Sequence, residues 1–340
     1  MRIFHYAFPF LGGAERLALY LAEALNEFKV YSLGTIFDTV GNIKIEGPKE
    51  YSLSHIYYTI KAFLRKEEGP LISSGLPLRA MNVKGLHIHY VHEPYRWLYD
   101  LSPHLGRKYR VLDFFYKTVD KYLWSRPNFF ISNSEITAKN LKKWLGIHSV
   151  ILHPPVKLEQ YYRKSKGDYF LYLGHSGHTK RLSIAINAFK KQKNKLIVAG
   201  RISKEYQKGI HYMLNVKCLG WVDEEKKREL LAGARALVFP SYEEPFGITA
   251  IEALASDTPL LVAEDGGYPT LLVKRSGLIE KRPEGDIYKA GIICRDWKKC
   301  ISLVSEYQWK DLRRFAKPYD FNEFRKKARN IINDLLEENT

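Results

Sequence analysis

Cysteine is scarce: Cys218, Cys294 and Cys300 are the three in 340 residues. They are too few and too scattered for a disulfide framework or a four-ligand zinc site, and this usage predicts a reducing, cytoplasmic setting. Long apolar runs are missing as well. The N-terminal MRIFHYAFPFLGGAE breaks its short run at Pro9 and Gly12, and no later run approaches the about 20 apolar residues of a membrane span. Membrane contact is therefore expected only at a surface, on the cytoplasmic face. No Asp-x-Asp pair occurs, and Asp223 with Glu225 is a weaker acidic pair. No metal ligands are assigned, and metal-independent chemistry is expected. Internal repeats and low-complexity segments are absent too. Acids are outnumbered, 37 against 54 Lys and Arg, for a formal charge of +17. That balance suits nucleic acid, an anionic membrane face or phosphate-bearing substrates, and does not choose among them. What the chain does have is 45% hydrophobic residues, enough for sizeable cores, and a length that suggests two domains.

The stretch that organises the chain is ALVFPSYEEPFGITAIEALA, Ala236 to Ala255. Ala236 to Phe239 reads as a doubly covered parallel strand that Pro240 ends. From Gly247 the residues Ile248, Ile251, Leu254 and Ala255 fall at helical spacing, so the chain passes from strand to helix through the loop Ser241 to Phe246. The N–H groups of a first helical turn, here Phe246 to Ile248, lack internal partners and sit at the positive end of the dipole, which suits a phosphate. Gly247 lets a ligand come close. Glu244 precedes the helix and Glu252 lies roughly 7.5 Å along it. Carboxylates repel phosphate but accept from sugar hydroxyls, so the bracketed ligand reads as a nucleotide sugar. The plain alternative is a solvated loop acid and a helix-surface acid.

The string PSYEEPFGITAIEA closely resembles PSxxExFGxxxxEA, the glutamate-x7-glutamate signature of family 4 retaining glycosyltransferases. The resemblance implies an α/β GT-B fold, two Rossmann-like doubly wound domains facing a cleft, with a nucleotide-sugar donor held mainly by the second. It gives Glu244 to the donor sugar and Glu252 to the ribose. GGAERLALYLAEAL looks like the family's first glycine loop, which carries Gly12 and Gly13 to the diphosphate. YVHEPYRWLYD is similar to a string of a mannosyltransferase-like branch that often uses GDP-mannose, and family histidines matching His92 sit against the donor sugar. His92 and Glu244 are thus the catalytic candidates, positioning the sugar rather than attacking it. GHSGHTKRLSIAINAF resembles GRLxxxKRxDxAIxAF; Lys180 and Arg181 match as diphosphate cations, while His175 stands where an arginine is usual. KLIVAGR ends, like the next family strand, in a glycine, Gly200. Val222 and Asp223 lie in the segment whose loop meets the base, with a turn and a surface acid as the alternative. EDGGYPTLL resembles the family's GGxPE loop, bringing Gly266 and Gly267 to the donor, with Thr270 in place of the glutamate.

The expected domains are 1–154 on the acceptor side, 155–318 on the donor side, and a helix over 319–340 that crosses back. Pro154 and Pro155 mark the joint. His87 and His89, spaced two apart before His92, are either metal ligands awaiting partners or buried imidazoles. Arg96 and Asp100 are either an i, i+4 ion pair or acceptor contacts. The span Arg107 to Arg126 is basic and amphipathic, fit to rest on an anionic membrane or to pack on its own domain. The expected activity is transfer of a hexose, mannose favoured, from GDP-mannose, or from a UDP-sugar, to a hydroxyl of a glycan or lipid-linked acceptor. An epimerase or phosphorylase of the same fold is the alternative, and His175 with Thr270 raises a weakened relative. A basic nucleic-acid-binding protein is a rival of another class, but no reading motif supports it and no nucleic acid is expected.

Overall fold

Short apolar runs that stop at glycine, proline or a polar residue recur along the chain, and in the computed structural model many of them are strands of two largely parallel sheets. The structure describes residues 1–9, 11–50, 55–96, 98–99 and 110–339. Its contacts divide it into a unit formed by Met1–Pro155 with Phe321–Thr340 and a unit formed by Val156–Asp320.

The first unit contains β1 (Arg2–His5), α1 (Gly13–Ala24), β2 (Lys29–Ser32), β3 (Thr39–Val40), β4 (Ile43–Glu46), α2 (His55–Leu64), β5 (Lys66–Glu68), β6 (Leu71–Ser74), β7 (Asn82–Lys84), β8 (His87–Val91), α3 (Arg110–Trp124), β9 (Phe129–Ser132), α4 (Glu135–Leu145) and β10 (Val150–Ile151), and ends in the C-terminal helix Phe321–Glu337. Its main sheet has the order β10-β9-β8-β6-β1-β2-β4-β3 and is parallel except at β3–β4. From β1 the chain runs outward through β2, then resumes on the other side of β1 at β6. The order therefore reverses between β1 and β6, the point where open α/β sheets bind ligands beyond the strands' carboxyl ends. β1 stops at His5 although the apolar run continues to Phe8, because both neighbours end level with it, at Ser32 and Ser74. The strands β3, β4, β5 and β7 give no apolar run to read, since their outward positions are polar.

One face of α1 buries Leu17, Ala18, Leu21 and Ala22 against Ile3, Ile72 and Ile88 of the sheet and Ala328, Ile332 and Leu335 of the C-terminal helix. Each buried Leu or Ile contributes about 1.5 to 3 kcal/mol. Ser134 caps α4, its hydroxyl accepting from Thr137 N at 3.2 Å, and Gly146 ends the helix in the left-handed conformation. Helix α3 is fixed from beneath by a buried ion pair: Arg79 donates to Asp120, which also accepts from Trp124 Nε1 at 3.0 Å and Tyr99 OH at 2.9 Å. Leu123 and Trp124 are buried, whereas Phe115, Val119 and Tyr122, which also fall near helical spacing, are 63%, 41% and 56% exposed. The start of the basic stretch, Arg107, and the side chain of Leu112 lie outside the described residues.

The second unit contains β11 (Tyr169–Leu173), α5 (Leu182–Phe189), β12 (Lys195–Ala199), α6 (Lys204–His211), β13 (Val216–Gly220), α7 (Glu224–Gly233), β14 (Leu237–Phe239), α8 (Ile248–Ala255), β15 (Leu260–Ala263), α9 (Tyr268–Arg275), β16 (Leu278–Arg282), β17 (Gly285–Tyr288), β18 (Gly291–Cys294) and α10 (Trp297–Leu303). Its sheet runs β13-β12-β11-β14-β15-β18-β17-β16, parallel until the antiparallel edge formed by β17 and β16. Here the order reverses between β11 and β14. The core under the sheet includes Phe170, Leu182, Phe189, Leu196, Val238 and Ile292.

Candidate functional site

At the carboxyl ends of β11, β14 and β15, three loops are tied to one another by their backbones. Tyr242 N donates to Thr179 O at 2.7 Å, Glu243 N to Asp265 O at 2.7 Å, Glu244 N to Gly266 O at 3.2 Å, and Tyr268 N returns to Glu244 O at 2.9 Å. Glycine is required at this junction. Gly267 has φ +74°, and a Cβ there would stand 2.4 Å from Glu244 O. Gly200, at the end of β12, has φ +125°, and its Cβ would stand 1.8 Å from Gly174 O, so no side chain fits where β12 passes the first loop.

Two charge pairs close over the same loops. Lys180 Nζ donates to Glu244 Oε2, and the Arg181 guanidinium grips Asp265 with two bonds of 2.8 Å while lying 4.7 Å over the Tyr242 ring. A fork-to-carboxylate pair of this kind matches phosphate geometry equally well. His175 serves the loop itself: its Nδ1 accepts from Gly177 N at 2.9 Å. Desolvation and the neighbouring Lys180 lower its pKa, so it brings no cation at neutral pH. Thr270, where the resembled motif has glutamate, is buried and donates to Ala263 O at 2.6 Å.

Helix α8 starts at Gly247, which has φ +72° and offers no side-chain cap. Ala250 N, to Gly247 O at 2.9 Å, makes the return bond of the first turn. Phe246 is buried and stacks on Tyr268 at 5.1 Å, which holds the start of the helix against α9. Lys180, Arg181, Glu244, Phe246, Gly247, Ile248, Gly266 and Gly267 thus belong to one loop cluster, with Gly200 packed behind it. Glu252 does not share that surface: it is 2% exposed, and its Oε1 accepts from Tyr161 OH at 2.8 Å and from Lys227 Nζ of α7 at 2.6 Å. Val222 is half-buried after β13, while Asp223 is exposed and caps α7 by accepting from Lys226 N at 2.7 Å.

In the first unit the carboxyl ends of β8, β6 and β1 lie side by side. His92 Nε2 is 2.8 Å from Ser74 Oγ, and Ser74 Oγ is 3.3 Å from His5 Nδ1. His5 Nε2 lies 4.0 Å from Glu15 Oε1, and Glu15 Oε2 accepts from Gly12 N at 3.0 Å. His92 and the glycine loop are thereby joined by residues that the sequence reading did not single out. Of these, Glu15 carries a usable signal, because a glutamate three places after a helix-start residue can reach back to that residue's N–H. His5 and Ser74 carry none beyond their places at strand ends. Partial burial and the neighbouring His5 hold the His92 pKa down at about 3. His87 and His89 stay apart from this row: Ser73 Oγ stands 2.7 Å from His87 Nε2 and from His89 Nδ1. Burial lowers the pKa of both, to about 4 for His87. They are buried imidazoles, and among the described residues no three potential ligands group to hold a metal. Arg96 Nε lies 3.4 Å from Glu93 Oε1, and Asp100 is outside the described residues.

Residues 156–293 match the family described as Glycosyl transferases group 1. An uncharacterized glycosyltransferase of Methanocaldococcus jannaschii is 30% identical over 139 residues, 37% of this chain and 36% of that protein. The O-antigen chain mannosyltransferase RfbU of Salmonella typhimurium is 28% identical over 200 residues, 54% of this chain and 52% of that one. The matches therefore span about half or less of these relatives' length. Among solved structures, a sucrose-phosphate synthase of Thermosynechococcus elongatus superposes with TM-score 0.73 over 99% of this chain and all of that one, at 15% identity. Anabaena HepE in complex with UDP-glucose does so with TM-score 0.68 over 98% and 99% of the two chains, at 14% identity. Two doubly wound, largely parallel sheets and these neighbours make the fold class GT-B.

Proposed function

We propose that this chain, whose residues 156–293 form a glycosyl transferases group 1 domain, is a retaining family 4 enzyme moving a hexose from a nucleotide diphosphate to a hydroxyl of a glycan or lipid-linked acceptor. The observation that carries the proposal is the tied loop cluster, where two cations, Lys180 and Arg181, stand paired with carboxylates around the glycine start of α8. With donor present, the diphosphate takes Lys180, Arg181 and the N–H groups at Phe246 to Ile248. Glu244, released from Lys180, is then an acceptor for sugar hydroxyls. As the bond to the sugar breaks, negative charge grows on the leaving diphosphate, and preorganised donors that need not reorient stabilise it. Neither Glu244 nor His92 attacks. Gly12, Gly13 and His92 serve the donor, and Val222 and Asp223 the base; Glu252 reaches the ribose only by giving up bonds to Tyr161 or Lys227.

Mannose is favoured because the string around His92 resembles a mannosyltransferase-like branch and RfbU is named a mannosyltransferase. The HepE complex makes a UDP-sugar the alternative. A thermal-shift panel of GDP-, UDP- and ADP-sugars separates them, since a ligand at 100 times its Kd stabilises the fold by about 2.7 kcal/mol. Stabilisation by none of the three, with intact folded protein, defeats the proposal. The anomeric configuration of the product, read by NMR, tests retention.

We place the acceptor side near an anionic membrane, on the cytoplasmic face. No helix among the described residues is long and apolar enough to cross a membrane. On α2, Ile56, Ile60 and Phe63 are 71%, 55% and 44% exposed, along one helix face. Arg126 joins them to α3, its guanidinium 4.6 Å from the Phe63 ring and 5.5 Å from that of Tyr122. Apolar side chains beside basic ones on two neighbouring helices suit an interfacial surface.

A further inference from the structure

Glu15, His5 and Ser74 are 3%, 0% and 0% exposed, and none of them has a part in the chemistry above. They nevertheless form the row that ends on His92. We propose that Glu15, His5 and Ser74 are positioning residues that fix the tautomer of His92, keeping its proton on Nε2 and presenting Nδ1 as a bare acceptor to a ligand hydroxyl. The last clause rests on the reading of His92 as a sugar contact; the relay itself rests on the geometry.

The direction of the relay follows from where its ends are anchored. A hydroxyl between two imidazoles has no preference of its own, since it donates to either and accepts from the other. Glu15 removes that symmetry. Its Oε2 is held by Gly12 N at 3.0 Å, which turns Oε1 toward His5 Nε2 at 4.0 Å. Among the described residues no polar atom bonds His5 Nε2, and that atom is buried. Burial raises the Glu15 pKa, but the neighbouring His5 lowers it by more and leaves the group below the usual value, so the carboxylate is ionised. Facing an anion, Nε2 carries the proton of His5. His5 Nδ1 is then a lone pair, which takes the Ser74 hydroxyl proton across 3.3 Å. With that proton turned away, Ser74 Oγ offers a lone pair to His92 Nε2 at 2.8 Å, and His92 must donate. His92 Nδ1 has no hydrogen-bond partner among the described residues. The His92 carbonyl, meanwhile, is held by Asn133 Nδ2 at 2.7 Å and by Thr137 Oγ1 at 3.2 Å, so the residue is fixed at both ends.

The test is spectroscopic and does not need activity. In full-length protein with 15N-labelled histidine, long-range 1H–15N correlations report which ring nitrogen bears the proton, with the His92 signals identified by their loss in His92→Gln. The expected wild-type state is Nε2–H. Glu15→Gln must keep its oxygen on Gly12 N, because an amide NH2 cannot face that donor. Its NH2 then faces His5 Nε2, which becomes a lone pair; His5 donates from Nδ1 to Ser74, Ser74 donates to His92, and the His92 proton moves to Nδ1. The expectation is therefore a reversal at His92 from a change three links away. In Ser74→Ala the link is cut, His92 shows the tautomer mixture of an untethered imidazole, and adding Glu15→Gln has no further effect. Wild-type Nδ1–H, an unchanged His92 in folded Glu15→Gln, or the same reversal without the Ser74 hydroxyl overturns the proposal. Ser74→Ala removes a single atom and carries the test by itself if Glu15→Gln does not fold. In transfer assays Glu15→Gln lowers kcat about tenfold or more while donor KM stays within about threefold. A relay that switches as expected in a protein that binds no nucleotide sugar leaves the tautomer assignment standing and removes only the sugar contact.

Discussion

At the residue scale the two glutamates of the loop-helix signature have opposite surroundings. Glu244 meets Lys180 at the surface of the loop cluster, with 16% of its side chain exposed, whereas the Glu252 side chain is 3% exposed beside Lys227 at 12%. Removing one partner of a buried pair leaves the other charge less compensated; among the described residues Lys227 then keeps the half-exposed Glu224, at 2.9 Å. Glu252→Ala is expected to cost about 2 kcal/mol of stability by urea denaturation, with Lys227→Met in the same chain restoring part of it. Glu244→Ala should change stability by less than half of that and leave binding of free nucleotide diphosphate nearly intact while turnover falls. Equal loss of stability and of diphosphate binding in both variants would falsify this division. His87 and His89 add a pH dependence. Their folded pKa values are lowered from 6.5, to about 4 for His87, so the unfolded chain binds more protons between about pH 4 and 6.5. Stability must then fall as pH drops through that window, by up to about 1.4 kcal/mol per pH unit for each. Denaturation at pH 5 and 7 measures it, and the slope should shrink in His87→Gln.

At the element scale, backbone ties between loops matter more than any one side chain. A Cβ on Gly267 meets the Glu244 backbone at 2.4 to 2.5 Å and must also adopt φ +74°. Gly267→Ala is expected to cost about 2 kcal/mol or more and to weaken donor binding at least tenfold by moving Glu244, measured by denaturation and calorimetry. Helices α2 and α3 make the opposite case, elements whose outward faces do nothing for the core. Phe115→Ser with Lys121→Glu should leave stability within about 0.5 kcal/mol. The same variant should weaken binding to anionic vesicles at least tenfold at low salt, since each cation near the surface contributes about 1 kcal/mol. Vesicle sedimentation that does not distinguish variant from wild type, or anionic from neutral lipid, removes the membrane surface from the proposal.

At the scale of the whole molecule, two units with separate sheets and cores each reverse strand order once, and each reversal carries a polar site at its carboxyl edge. The proposed donor groups Lys180, Arg181 and the α8 start all lie in the second unit. Nucleotide diphosphate without sugar is therefore expected to slow hydrogen exchange over 174–181, 240–248 and 264–268, and to do so equally after exhaustive chelation. Protection absent from these loops, or dependent on an added divalent ion, would redirect the site assignment.

The sequence by itself determined the alternation of strand and helix, because burial on both faces demands unbroken apolar runs and burial on one face demands a 3.6-residue period. It also determined the strand-loop-glycine-helix at Ala236 to Ala255, which is local chemistry. The polar edge strands β3, β5 and β7 were not legible, since edge positions need no apolar pattern. Tertiary structure alone decided which charges meet: that Lys180 takes Glu244, that Arg181 takes Asp265, that Glu252 turns to Lys227 and Tyr161. It alone set Phe115, Val119 and Tyr122 outward, because the buried Arg79–Asp120 pair and Trp124 claim the other face of α3. It alone aligned His5, Ser74 and His92, residues far apart in the chain, because parallel strands in adjacent register bring their carboxyl ends to one edge. Pairing of this kind depends on strand order, and no local pattern of residues encodes strand order.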